Sequence, residues 1–280
     1  MQWLKMVNIT PDPLFDPLFW DRWASFTRRR GDRMRPIIPI LLVSMTFIGA
    51  RAPVDRLTGE ASMIRPSGLR PVFPSQARCP GIASPFGSQT RYDGSARPKW
   101  SFGGYHGGID ISLAEGAPLL AMSAGTVASK GEGGQLEGIY LWLRHSPEDT
   151  GLAYWVYSKY QHLQFLPELA IGARVAAAEV IAHSGKTGTV GGHYGSAGYP
   201  HLHLTTLKSA SGDQVVGSRG EARGANLIDP LVIYRDIALP TSVEPALRND
   251  EVSIPASTTD GQVWPAGTRV VWPVVCEPVQ

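Results

Sequence analysis

The chain has 280 residues but only two cysteines, Cys79 and Cys276, and only seven histidines. Two thiols are too few for a structural zinc site. Charge is also scarce, at 18% of residues, with a formal net charge of +2. Residues 1–52 hold eight of the Lys/Arg and four of the Asp/Glu, which leaves 18 basic against 20 acidic residues elsewhere. That balance gives no electrostatic footprint for nucleic acid. No apolar run reaches the roughly 20 residues that a membrane-spanning helix needs. The longest, PIIPILLVSMTFIGA at 36–50, is short and carries two prolines. There is no HExxH helix, so the glutamate base of that metalloprotease design is absent. Internal repeats and low-complexity tracts are lacking too. What is plentiful is apolar sequence (43%), glycine (31) and proline (23), the composition of a globular chain rich in turns and short strands.

The apolar run follows Arg28-Arg29-Arg30-Gly31-Asp32-Arg33-Met34-Arg35 and precedes Ala50-Arg51-Ala52, an A-x-A cleavage pattern. This order reads as an N-terminal extension and secretory signal peptide over 1–52, with no stable membrane span in the mature form. Met34 is well placed to start a signal of ordinary length. A twin-arginine reading of Arg28–Arg30 lacks the apolar residues expected just after the pair. Export to the periplasm or the extracellular space brings an oxidising compartment, which favours a Cys79–Cys276 disulfide bracketing nearly the whole mature chain.

Residues 53–78 show neither a helical nor a two-residue apolar period and read as a linker or pro-segment. Short apolar runs then recur at 108–113, 119–127, 138–143, 153–163, 180–182 and 202–207, most of them separated by Gly or Pro turns. The spacing predicts a mainly β domain over 79–235, an antiparallel sheet with few short helices. Residues 166–178 have some helical propensity, but Gly172 and the valines suit a turn and strand equally. Residues 226–234 read as a closing turn that packs on the domain, and 236–280 as a Pro-rich tail tied to Cys79.

The chemistry centres on Gly198-Tyr199-Pro200-His201-Leu202-His203-Leu204. In an extended segment the two imidazoles share one face while Leu202 and Leu204 take the other. An HxH pair alone says little. Tyr105-His106-Gly107-Gly108-Ile109-Asp110 supplies the rest, since His106 and Asp110 are an even number of residues apart and can also share a face. With one imidazole of the pair they would form a His2Asp zinc site whose fourth position stays open for water. The other imidazole would stand beside that water as the base.

These pieces resemble the M23 family of zinc metallopeptidases, the lysostaphin-like or LytM-like peptidoglycan endopeptidases. They occur in family order from residue 82 to 234: Ser84-Pro85-Phe86-Gly87, His106 to Asp110, Gly116 to Leu119, Ala124 to Val127, Tyr160-Gln161-His162-Leu163, Gly172 to Val175, Ser184 to Gly188, and His201-Leu202-His203. The resemblance implies a lysostaphin-like fold of the duplicated hybrid motif type, with an open groove. It implies one Zn2+ per chain held by His106, Asp110 and His203, with His162 and His201 as catalytic histidines. The substrate it implies is the peptide of bacterial peptidoglycan cross-links. A catalytically silent wall-binding module that activates an amidase, and a zinc protease of Gly-rich proteins, are the other functions considered. The chain departs from the family pattern at 189–200, longer than usual and carrying His193 as a loop residue. It departs again at Ala178-Glu179, where Gly-Gln is usual, and at 148–151; the two insertions are expected to border the groove. His145 and His183 have no partner spacing and read as structural.

Cleavage after Ala52 predicts that protein recovered from the periplasm or medium begins near Pro53. Intact-mass spectrometry finding Met1 or Met34 at the N-terminus of that material would reject it.

Overall fold

A computed structural model describes residues 64–189, 198–217, 224–239 and 247–279. The chain divides into two units, Met1–Asp55 and Arg56–Gln280, and every described residue belongs to the second. The signal-peptide segment and His193 lie outside the described residues. Among the described residues no helix is long and apolar enough to cross a membrane.

Among the described residues, sixteen short strands carry the fold. They are β1 (Arg70–Val72), β2 (Ala77–Arg78), β3 (Ile82–Ser84), β4 (Ile109–Ser112), β5 (Pro118–Leu120), β6 (Gly125–Glu132), β7 (Ile139–His145) and β8 (Trp155–Gln161), then β9 (Arg174–Val175), β10 (Val180–His183), β11 (His201–Ser209), β12 (Ala225–Ile228), β13 (Glu251–Ser253), β14 (Ala256–Ser257), β15 (Val263–Trp264) and β16 (Glu277–Pro278). Two short helices, α1 (Pro147–Thr150) and α2 (Pro230–Asp236), complete the α and β elements. The mainly β, antiparallel architecture expected from the sequence is what the chain adopts. Seven strands follow the order β3-β4-β11-β8-β7-β6-β9, and β12 joins the far half of β11.

Alternation explains which side chains face where. Along β11, Leu202 and Leu204 enter the main core, while His201, His203, Thr205 and Leu207 take the opposite face. Along β7, Leu141 and Leu143 join that core, while Tyr140 and Trp142 pack with Tyr157, Leu207 and Val216 in a second cluster. The continuous apolar run of β7 thus reflects burial on both faces. Each fully buried leucine stabilises the sheet by roughly 1.5–3 kcal/mol relative to exposure.

Segments outside the central sheet complete the core. Residues 70–72 pair in parallel with 251–253, and 77–78 pair with 277–278. Val252, Ile254, Ala256, Val270, Trp272, Val274 and Cys276 are all buried in the main core, so the proline-rich tail is a structural layer. Trp272 Nε1 donates to the Pro80 carbonyl at 3.1 Å, and Cys79 is bonded to Cys276. The 226–234 segment forms β12 and then α2, capped by the Asp229 carboxylate, which accepts from Leu231 N–H. The ambiguous 166–178 segment resolves as a turn and β9, not a helix. Ala178, in the Gly-Gln position of the family, has φ 63. This left-handed conformation costs a residue with a Cβ about 1–2 kcal/mol.

One expectation about the loops fails. Residues 147–150 form α1, a capping-box turn ended by Gly151 that joins the end of β7 to the start of β8. The strand ends that carry His162 and His201 lie at the other end of the sheet, so this insertion does not border the groove. The cause is β-strand direction: lengthening the β7–β8 connection adds chain at the end away from the histidines.

Opening the Cys79–Cys276 bond should destabilise the fold by about 2–5 kcal/mol, since it closes a loop with a sequence separation of 197. Denaturant titration of the Cys79→Ser/Cys276→Ser pair checks this. An unchanged midpoint would mean that β-pairing alone holds the tail.

Candidate metal and catalytic groove

Pairing of β4 with β11 sets Asp110 opposite His203, both facing a groove of about 980 Å³. His106 reaches the same point from the loop before β4. His106 Nε2 lies 3.0 Å from Asp110 Oδ1 and 3.0 Å from His203 Nδ1, and His203 Nδ1 lies 2.8 Å from Asp110 Oδ1. Gly108 makes this approach possible. A Cβ there would meet the Leu204 carbonyl oxygen at 2.3 Å and His203 Nε2 at 2.9 Å.

Hydrogen bonding decides what the three groups present to one another. His106 Nδ1 is 3.0 Å from the Pro85 carbonyl oxygen, which can only accept, so Nδ1 carries the proton and Nε2 offers its lone pair to the cluster. His203 Nε2 is 3.0 Å from the Thr205 hydroxyl, which can take a proton from Nε2 and leave Nδ1 as a second inward lone pair. Asp110 is an acceptor throughout. Burial raises its carboxyl, but His106, His201 and His203 outweigh burial and hold it well below the usual carboxylate range. With both imidazoles in these tautomers, three acceptors would meet at 2.8–3.0 Å with no proton between them, an arrangement that a divalent cation would satisfy. For metal–ligand distances of about 2.0–2.1 Å, the edges of a tetrahedral site are about 3.3 Å. The observed triangle is close to one such face, so the residues fit a metal.

His162 and His201 stand beside this triangle without joining it. His162 follows the last residue of β8 and has φ 64, a left-handed turn that occurs at functional sites at a cost of about 1–3 kcal/mol. Its Nδ1 donates to the Thr187 carbonyl at 2.8 Å, leaving Nε2 as an acceptor. His201 Nδ1 donates to the Tyr199 carbonyl at 3.0 Å, and its Nε2 is 3.7 Å from Asp110 Oδ1. The two rings are 4.6 Å apart. Burial lowers the pKa of both, for His162 well below the ordinary value, aided there by His201 and His203. Both are therefore neutral bases at pH 7.

The five residues singled out in the sequence, His106, Asp110, His162, His201 and His203, thus all line one groove. His145 is elsewhere, buried between the Ala124 carbonyl and the Ser158 hydroxyl, its pKa lowered by burial to about 4. His183 is exposed on β10. Several neighbours were not legible as functional: Thr205, the carbonyls of Pro85, Thr187 and Tyr199, and Arg97, whose Nη2 lies 3.3 Å from Asp110 Oδ2. Thr205 could have been found by continuing the two-residue period of His201 and His203.

These elements build a β-sheet groove that holds a His2Asp cluster able to bind a metal ion, with two further histidines beside it. Residues 104–216 match the sequence model of peptidase family M23. Among solved structures the chain is similar to a zinc-containing peptidase from Vibrio cholerae, at 25% identity over 47% of this chain and 34% of that one, with a TM-score of 0.34. It is also similar to the catalytic domain of the antimicrobial peptidase lysostaphin from Staphylococcus simulans, at 26% identity over 45% and 80%, TM-score 0.33. LytU matches at 28% identity over 48% and 75%, TM-score 0.34. The chain thus spans about a third of the Vibrio structure. No curated protein matches it.

Gly108→Ala should displace His203 and lower bound metal as severely as His106→Ala, Asp110→Ala or His203→Ala, with at least a tenfold loss of affinity. Elemental analysis of the four variants after zinc loading tests this. Stoichiometric metal in Gly108→Ala would show that the cluster does not need the close β4–β11 approach.

Proposed function

We propose that the chain is an exported zinc metalloendopeptidase that hydrolyses peptide bonds in bacterial peptidoglycan cross-links. The observation that carries this reading is the juxtaposition, inside an M23-matching segment, of three convergent acceptors with two neutral histidines on one groove. His106, Asp110 and His203 would hold the ion. Bound there, zinc supplies Lewis acidity toward a carbonyl oxygen and makes a nearby water more acidic. Export rests on the basic, apolar and A-x-A order of residues 28–52.

The chain's own residues supply the proton transfers. Nδ1 of His201 and of His162 is committed to a backbone carbonyl, so each imidazole can take a proton only at Nε2. One Nε2 accepts the proton lost by the water that attacks the scissile carbonyl. The same proton is then delivered to the leaving nitrogen, so the amide and water end as a carboxylic acid and an amine, and the acid's remaining proton passes to the amine or to solvent. The second imidazole, once protonated or hydrogen-bonded to water, stabilises charge developing on the carbonyl oxygen. Holding both rings by backbone carbonyls keeps them from turning during the cycle.

His162→Ala and His201→Ala should keep about one zinc per chain while cleavage of purified sacculi falls by roughly 10² to 10⁴. Muropeptide chromatography together with metal analysis reads both quantities on the same samples. If the unaltered chain leaves all cross-links intact, it is no wall hydrolase, and a silent module that activates an amidase becomes the better reading.

A further inference from the structure

We propose that the groove wall beside Asp110 is a carboxylate subsite formed by Arg97 and supported by Arg91, so that the hydrolysed bond is flanked on that side by an anionic residue. This deepens the hydrolase reading and rests on it for the identity of the flanked bond.

Arg97 lies in the loop between β3 and β4 and is held firmly. Its Nε donates to the Thr90 carbonyl at 3.2 Å, and its Nη2 to the Ser84 hydroxyl at 2.8 Å and Asp110 Oδ2 at 3.3 Å. Those bonds use three of the five guanidinium N–H donors. Among the described residues Nη1 has no hydrogen-bond partner, and Arg97 lines the groove with its side chain 15% exposed. A rigid guanidinium with two open donors suits a carboxylate, which it can bind with directional, charge-assisted hydrogen bonds.

The surrounding charges point the same way. Arg91 lines the same wall, its Nη1 donating to the Ser95 hydroxyl and the Ala96 carbonyl. Asp93, on the same turn, accepts from Ser95 N–H. Asp110 is the carboxylate that faces Arg97, and its Oδ1 belongs to the ligand cluster. A divalent cation there would leave this wall strongly positive. On the other side of the histidines, Glu137 is paired with Lys159 and accepts from Gln161 Nε2 at 3.1 Å, so that wall is close to neutral. An anion entering the groove is drawn toward Arg97.

Reach sets the position of the anion. Arg97 Nη2 is one hydrogen bond from Asp110 Oδ2, whose partner oxygen is in the metal cluster, and adjacent residues of a peptide lie 3.8 Å apart at Cα. Arg97 therefore addresses the residue next to the reacting carbonyl. An uncharged glycine linker would cover the guanidinium without pairing it, which costs binding energy and gives discrimination against such linkers.

The test uses acetyl-Ala-Ala-Ala with a free C-terminal carboxylate and the same peptide as its C-terminal amide, each made with L- and with D-alanine. Calorimetric titration into the full zinc-loaded His201→Ala chain, in which the peptides are not consumed, should give at least about tenfold tighter binding of a carboxylate form. Added Arg97→Gln should erase that difference while leaving the amide within about twofold, and Arg97→Lys should retain part of it. Equal binding of acid and amide, or binding of neither, overturns the subsite, and that comparison needs no change at Arg97. If Arg97→Gln weakens both peptides alike, Arg97 acts only by holding Asp110 and the inference is wrong. Failure of the unaltered chain to cut sacculi, with the acid preference intact, would sink the hydrolase reading and leave the subsite standing.

Discussion

The antiparallel register between β4 and β11 is the constraint on which the groove depends. It sets Asp110 against His203 and His201 against Ser112. A slip of one residue would turn both histidines into the core and bring Leu202 and Leu204 to the groove. Burial of those leucines, with Ile109 and Ile111 on the partner strand, is therefore what holds the polar face in place. The apolar half of HLHL and IDI is as necessary to the chemistry as the polar half. Gly108 adds a second condition, because without a missing side chain there the two strands could not bring His106 and His203 together.

A second layer of control comes from backbone carbonyls. Those of Pro85, Thr187 and Tyr199 each take the Nδ1 proton of one imidazole, His106, His162 and His201 in turn. The three carbonyls come from separate loops, so the tautomers depend on the conformation of chain far apart in sequence. His203 differs, since its outer partner is the Thr205 hydroxyl, which can donate or accept. Such a partner satisfies the imidazole whether or not a cation occupies the cluster. Burial lowers the pKa of His162, His201 and His203, favouring the neutral imidazole that metal binding and proton acceptance require.

The segments before β3 and after α2 contribute to the core that backs this sheet. Trp272 packs edge-on to Phe73 at 5.3 Å and hydrogen-bonds to Pro80, and Tyr234 donates to the Val271 carbonyl at 2.9 Å. The disulfide and the β1–β13 and β2–β16 pairs join the same two stretches of chain. These contacts lie outside residues 104–216, as do Arg91 and Arg97 of the groove wall, so the M23-matching segment holds the five groove residues but not all of the wall or its support.

The sequence by itself determined the antiparallel β class, through period-two alternation, and His106, Asp110, His201 and His203 as candidates, through the even spacing of His and Asp; His162 was legible only through the family resemblance, and the disulfide pairing rested on a lone cysteine pair in a chain expected to be exported. The roles of 70–78 and 251–278 were illegible, since strands of two or three residues are too short to show a period and their partners lie some 180 residues or more away. The insertion at 148–151 was misplaced for a related reason, as loop length says nothing about which end of a sheet a loop occupies. Only the tertiary structure decided that His162 turns back into the groove through a left-handed backbone, and that Arg97 stands against Asp110. Both are outcomes of packing between distant segments, and neither a backbone angle nor a long-range ion pair leaves a mark on the local pattern of residues.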